Sequence, residues 1–297
     1  MTSAVTASSL ADISDSLSRL VANASRSVVG VHSHRMRGSG FVWRPGLIVT
    51  SDEAVADEGS IEVALPGGEI VPATLKGRDA STDVALLRID ASALEPAALA
   101  RDEVTAAGAL VIAIGAEDGR PVTAMGMIAS VGPDWRSVRG GEIGPRIELD
   151  VRLRSFSEGG LAVAANGSAI GMVVPGPRRR VLVIPARTVD RVAARLDADG
   201  RIARGYLGLG LQPVRMEGQG DRSGAMVMSV DPAGPGAASG VRQGDIVVEW
   251  NGQPLRALRS LVRDLGPESV GSVVRLTATR AGEPVRFDVT IAARPDA

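Results

Sequence analysis

The chain has 297 residues, 44% of them apolar, and a formal net charge of −1. That is enough length and apolar surface for two domains with cores of their own, and a charge so near zero provides no global field to hold nucleic acid or an anionic membrane. There is no cysteine, which excludes a disulfide framework, a thiol nucleophile and a cysteine-ligated metal.

Aromatic residues are scarce, at three Trp, three Phe and one Tyr, while valine, alanine, leucine and glycine abound. A core of small and branched side chains suits strands better than a helical bundle. The longest apolar run, around Ala106 to Ala116, is too short to span a bilayer. The opening residues Met1 to Val5 carry no basic segment, and Asp12 and Asp15 interrupt the place of an apolar signal core. No export signal is visible, so the sequence by itself defaults to the cytoplasm. The basic run Arg178-Arg179-Arg180 is too short to attract a polyanion and reads as a solvated loop tip.

In chain order, residues 8–24 come first and predict an amphipathic helix. Leu10, Ile13, Leu17, Leu20 and Val21 share one face, with Asp12, Asp15 and Arg19 away from it. Short apolar runs punctuated by Gly, Pro and Asp follow, from Ser27-Val31 through Gly40-Trp43, Leu47-Thr50, Ile61-Leu65, Val84-Ile89 and Leu110-Ile114 to Val181-Ile184. Many short strands without intervening helices predict a barrel or sandwich. A helix over Val189 to Leu196 closes this region, and Asp197 to Gly200 reads as a linker. A second unit starts near Arg204, with strands at Leu207-Leu211, Ala225-Val230, Ile246-Trp250, Val273-Ala278 and Arg286-Ile291. Helical stretches at Gly236-Ser239 and Ala257-Leu265 interrupt them.

Several motifs stand in order along the first unit: Gly38-Ser39-Gly40-Phe41-Val42 with Leu47-Ile48-Val49-Thr50, then Thr82-Asp83-Val84-Ala85-Leu86-Leu87, Gly126 to Val131, and Gly159-Gly160 with Ile170-Gly171. Together they resemble the HtrA family of trypsin-like serine proteases over about residues 25–195. In the second unit, Arg204-Gly205-Tyr206-Leu207-Gly208-Leu209 resembles the carboxylate-binding loop of the PDZ domain that follows those proteases. Pro232 to Val241 resembles its helix motif, and Gly244 to Gly252 is similar to its G-D-V-I-x-x-V-N-G segment. The resemblance implies an all-β architecture with minor helices. The expected parts are an N-terminal helical segment (1–24), a trypsin-like double β-barrel (25–198) and a PDZ domain (199–297).

Serine proteolysis needs a serine to attack, a histidine to take its proton and an aspartate to orient the histidine. By the resemblance Asp83 matches the aspartate. Glu53 falls at the histidine position, Glu158 at the nucleophile position, and Phe156 replaces the glycine whose N–H helps build the oxyanion hole. The two histidines, His32 and His34, lie upstream on the first strand, where alternation puts them on one face. Ser155 and Ser157 flank the nucleophile position without an adjacent base.

The expectation is therefore a pseudoprotease with no intact catalytic residue, active in recognition, scaffolding or regulation. An active endopeptidase with an atypical site is the alternative. A second alternative is a cleft in which Glu53, Asp83 and Glu158 hold a divalent cation, or the carboxylates of which simply face water.

No residue pattern points to a cofactor. The partners implied are peptides or protein C-termini at Tyr206, Leu207, Gly208 and Leu209, with Leu261 and Leu265 forming the pocket for the last side chain. The resemblance also implies a homotrimer assembled through the N-terminal segment and a place in the cell envelope. That segment lacks the aromatic residues such an interface would use, which leaves the helix to pack on its own barrel or to serve another homo-oligomer.

Overall fold

The computed structural model describes residues 7–91, 93–100, 106–154, 156–215, 223–255, 257–258, 261 and 264–295. The chain divides into two compact units, Met1–Trp135 with Glu142–Arg201 and Arg136–Gly141 with Ile202–Ala297.

The first unit opens with α1 (Ala7–Ala24) and continues into β1 (Val28–Ser33), β2 (Met36–Arg44), β3 (Leu47–Thr50), β4 (Ile61–Ala64), β5 (Ile70–Asp79) and β6 (Val84–Ile89). These strands close into a barrel in the order β1-β2-β3-β6-β5-β4, sealed by antiparallel pairing of β1 with β4. Its interior is a cluster of branched residues that includes Val29, Val31, Val42, Ile48, Val63, Ala85 and Leu87. Each fully buried Val or Leu contributes about 1.5–3 kcal/mol, so the barrel needs no aromatic core.

A second barrel follows from β7 (Leu110–Glu117), β8 (Arg120–Arg136), β9 (Glu142–Asp150), β10 (Leu161–Ala164), β11 (Ala169–Pro175) and β12 (Val181–Pro185), in the order β10-β11-β12-β9-β8-β7. Val111, Ile128, Ile147, Ala162, Val173 and Val183 are in its core. The helix α2 (Ala186–Asp199) lies against β6 and β11 and buries Val189, Val192, Ala193 and Leu196. It runs past Leu196 into the stretch expected to be linker. Gly200, at φ 71°, ends it in the left-handed conformation that glycine adopts without steric cost.

The second unit contains β13 (Gly205–Tyr206), β14 (Leu209–Arg215), β15 (Ser223–Val230), the single turn α3 (Pro235–Ala238), β16 (Ile246–Trp250), β17 (Gln253–Pro254), β18 (Val273–Arg280), β19 (Glu283–Thr290) and β20 (Ala292–Ala293). Its main sheet runs β14-β15-β16-β18-β19, with β17 paired to β16, so β14 is an edge strand. The expected double β-barrel followed by a PDZ-type domain, mostly β with few helices, is what the structure contains.

The N-terminal helix forms where its periodicity placed it, but its apolar face is not uniformly covered. Leu17, Leu20 and Val21 are half-buried, while Leu10 and Ile13 stay more than half exposed. Among the described residues no helix is long and apolar enough to cross a membrane.

Candidate functional site

Three segments of the first unit meet at the positions where the resemblance placed a triad. The first is Ser51 followed by a 3-10 turn over Asp52–Ala54. Arg78 of β5 clamps this turn. Its guanidinium pairs with the buried Asp52 carboxylate, donates to the Asp52 and Val55 carbonyls at 3.1 and 3.2 Å, and reaches Asp57 at 2.8 Å. A planar fork with several donors suits a loop that offers acceptors in several directions.

The second segment is the β5–β6 turn. Asp79 is buried there and accepts from the Ser81 N–H (3.1 Å), the Ser81 hydroxyl (2.6 Å) and the Thr82 hydroxyl (2.7 Å). This local network holds Asp83 at φ 58°, an uncommon conformation for a non-glycine residue. The Asp83 carboxyl then accepts from the Ser51 hydroxyl at 2.8 Å and from the Glu53 backbone N–H at 3.0 Å.

The third segment is the turn 156–160 before β10. Ser39, from the Gly38-Ser39-Gly40 motif on β2, holds it. The Ser39 N–H donates to the Glu158 carbonyl at 2.7 Å, its hydroxyl donates to the Phe156 carbonyl, and that hydroxyl accepts the Ala116 N–H at 2.8 Å. Gly159 must be glycine here. Its φ is 81°, and a Cβ would sit 2.2 Å from the Ser39 carbonyl oxygen. With the loop pinned, Glu158 turns inward and its Oε1 lies 3.0 Å from the Ser51 hydroxyl.

The structure thus joins Asp83 and Glu158 through Ser51, which is fully buried. Glu53 contributes its backbone N–H to this centre, while its side chain is exposed. Burial raises the Asp83 carboxyl to about 7, against the lowering effect of the Glu53 N–H and the Ser51 hydroxyl; Glu53 and Glu158 push the same way as burial. Burial also raises Glu158, with Glu53 adding repulsion and Ser51 working against both.

Neither histidine joins the centre. His32 on β1 has its Nε2 3.2 Å from Asp118, and burial followed by the charge of Arg37 lowers its pKa. His34 lies beyond β1 in the turn to β2, at φ 52°, so the alternation expected to put both histidines on one face ends at Ser33. Ser157 is buried and its hydroxyl has no hydrogen-bond partner among the described residues, and Ser155 lies outside them. Among the described residues, no three His, Asp or Glu side chains are grouped so as to hold a metal ion.

In the second unit the sequence-predicted residues divide by burial. Leu207 and Leu261 are in the core, with Val227, Val289 and Ile291. Leu209 and Leu265 are half-buried and pack against that core. Gly208 takes φ 70°, and the carbonyls of Leu207 and Gly208 accept the N–H groups of Gly236 and Asp231 at 2.8 Å each. The N–H groups of Leu207 and Gly208 have no acceptor among the described residues. The Tyr206 hydroxyl donates to Asp231 at 2.9 Å.

The sequence model of the trypsin-like peptidase domain matches residues 38–172, and that of the PDZ domain matches residues 205–291. A probable periplasmic serine endoprotease, DegP-like, from Halomonas elongata is 34% identical over 281 residues, which are 89% of this chain and 58% of that protein. The chain carries a trypsin-like peptidase domain followed by a PDZ domain and is similar to HtrA-type proteases. A DegP-like relative from Pseudomonas putida is 32% identical over 273 residues, 87% of this chain and 56% of its own length. Among solved structures, the serine endoprotease from Yersinia pestis superposes with a TM-score of 0.70 at 26% identity, covering 94% of this chain and 98% of that one. The HtrA-type protease AlgW with tripeptide gives a TM-score of 0.65 at 25% identity, covering 94% and 98%.

The chain spans a little over half the length of the curated relatives it matches. The default to the cytoplasm is overturned: these HtrA relatives are named periplasmic, which points to the cell envelope. That default rested on the first residues of the sequence, which carry no information about anything preceding them.

Sequence reasoning missed Ser51. A single serine in a loop carries no pattern that tells which carboxyl its hydroxyl will face, and its place two residues before Glu53 was the available signal.

Proposed function

We propose that this HtrA-like chain is a non-catalytic member of the cell envelope that recognises peptides or protein C-termini through its PDZ domain. The observation that carries this reading is the bridge from Asp83 through Ser51 to Glu158. A carboxyl group stands at the nucleophile position and is tied inward, and the aspartate that would orient a histidine binds a serine hydroxyl and a backbone N–H instead. The one hydroxyl that a raised carboxyl does contact, Ser51, is fully buried and tied to Asp83 and Glu158, out of reach of a substrate, and losing two members of the triad removes most of the rate enhancement.

Peptide recognition is supported by the edge position of β14, which can pair with an extended strand. The N–H groups of Leu207 and Gly208, which lack an acceptor among the described residues, suit a terminal carboxylate. The half-buried Leu209 and Leu265 offer apolar surface for the last side chain.

The test pairs two readouts on the wild-type protein. Fluorophosphonate should leave the protein unlabelled, and a fluorescent peptide with an apolar C-terminus should bind, with binding lost when its C-terminus is amidated. Labelling at a serine would reverse the first half of the reading, and equal affinity for the amidated peptide would reverse the second.

A further inference from the structure

Of the features outside peptide recognition, the bridge at Ser51 goes furthest, because its protons can be counted. The Ser51 oxygen lies within hydrogen-bond distance of both Asp83 Oδ1 (2.8 Å) and Glu158 Oε1 (3.0 Å). A hydroxyl has one hydrogen and can donate it along only one of these contacts. If both carboxyls were ionised, the other contact would set a negatively charged oxygen against a hydroxyl lone pair at hydrogen-bonding distance. Ser51 is fully buried, so bulk water cannot reach its oxygen to relieve that repulsion.

The surrounding charges do not compensate. Glu53, on the 3-10 turn, is the further titratable group acting on both carboxyls, and it is an acid. Asp52, on the same turn, is committed to Arg78, and Asp79 at the end of β5 is committed to Ser81 and Thr82. No Arg, Lys or His among the described residues hydrogen-bonds Asp83 or Glu158. On the loop side, Glu158 is held through its backbone carbonyl by Ser39, so the side chain's inward contact is the one to Ser51.

We propose that Asp83, Ser51 and Glu158 form an acid-held latch, in which one carboxyl proton shared through the Ser51 hydroxyl keeps Glu158 folded into the cleft and its loss releases Glu158 outward. Burial raises both carboxyls and favours retention of that proton toward neutral pH. The proton belongs to the pair, and assigning it to one carboxyl alone is not needed. No bond other than hydrogen bonds changes: the proton leaves to solvent, two anions remain, and their repulsion together with that of Glu53 opens the contact. The latch regulates access to the cleft. It rests on the cleft's geometry and goes beyond the reading of peptide recognition.

The test is amide hydrogen exchange on the full chain, followed over the turn 156–160 and the start of β10 between about pH 5.5 and about pH 8.5, with rates corrected for intrinsic exchange. Wild-type protection should fall about tenfold or more across that range. Glu158→Gln, neutral throughout, should retain protection at the upper end, and Ser51→Ala should lack the step. Protection that does not change with pH, or a Glu158→Gln protein that titrates like wild type, overturns the latch. Should a variant fail to fold, carboxyl carbon-13 shifts of the wild-type protein decide: a titration of Asp83 or Glu158 near neutrality supports it, and both ionised at about pH 5.5 overturns it. Fluorophosphonate labelling and peptide affinity are read separately, so the latch can fail while the reading of function stands.

Discussion

Ser51 and Glu158 meet with their side-chain oxygens 3.0 Å apart. The contact joins segments 107 residues apart in sequence, and the same hydroxyl reaches Asp83. Ser51→Ala leaves two partly buried carboxyls without this shared partner. A loss of about 1–3 kcal/mol is expected, because unsatisfied buried acceptors retain their desolvation cost. Urea unfolding at constant pH measures it.

The pH dependence follows from the sign of the shifts. Folded Asp83 titrates at about 7, raised by burial from 3.8. Between about pH 4 and about pH 7 the folded protein holds a proton that the unfolded chain has released, so stability is greatest on the acid side and falls as pH rises through that window. Glu158, also raised by burial, acts in the same direction. Urea midpoints recorded across the window should fall steadily, and Asp83→Asn should flatten most of the slope.

Gly159 is the point where the latch loop approaches β2 too closely for a side chain. With φ at 81° and a Cβ placed 2.2 Å from the Ser39 carbonyl oxygen, Gly159→Ala has to move the backbone. The expected cost is about 3 kcal/mol or more, with weakened anchoring of Glu158, read from thermal unfolding and from amide exchange over 156–160.

Arg78 should behave as a brace whose removal exposes the cost of its partner. Arg78→Met leaves Asp52, 3% exposed, as a buried unpaired carboxylate. A loss of about 3–5 kcal/mol is expected, and adding Asp52→Asn should recover part of it, a pattern a double-mutant cycle reads directly.

At the second unit, Leu209→Glu on the edge strand places a charge where an apolar terminal side chain would pack. Affinity for a peptide with an apolar C-terminus should fall by about tenfold or more in fluorescence anisotropy, while the melting temperature moves little because Leu209 is only half-buried.

The architecture was legible because the motifs that carry the resemblance do structural work whether or not the chain is catalytic. Gly38-Ser39-Gly40 still pins the turn 156–160, Gly159 still permits the close approach, and Thr82-Asp83 still ends a turn built on Asp79. The site was only partly legible. The sequence placed Glu53, Asp83 and Glu158 in one cleft, but a hydroxyl contributed by Ser51 joins two of them, and which hydroxyl faces which carboxyl depends on tertiary packing. Glu53 enters through its backbone, a role indifferent to residue type. The helix α1 shows a related limit. Periodicity identified the helix and its apolar face, yet Leu10 and Ile13 stay exposed, because amphipathicity states which face can be buried and not how far the neighbouring barrel extends.

The most direct test of the central claim compares casein cleavage and fluorophosphonate labelling by the wild-type protein and by the Glu53→His, Glu158→Ser double variant. The account predicts an inert wild type, and any labelling of the variant at position 158 would support the positions assigned to the triad by the resemblance. Labelling and cleavage by the wild type would contradict it, and would mean that a serine such as Ser155 or Ser157 finds a base other than the groups at Asp83 and Glu158.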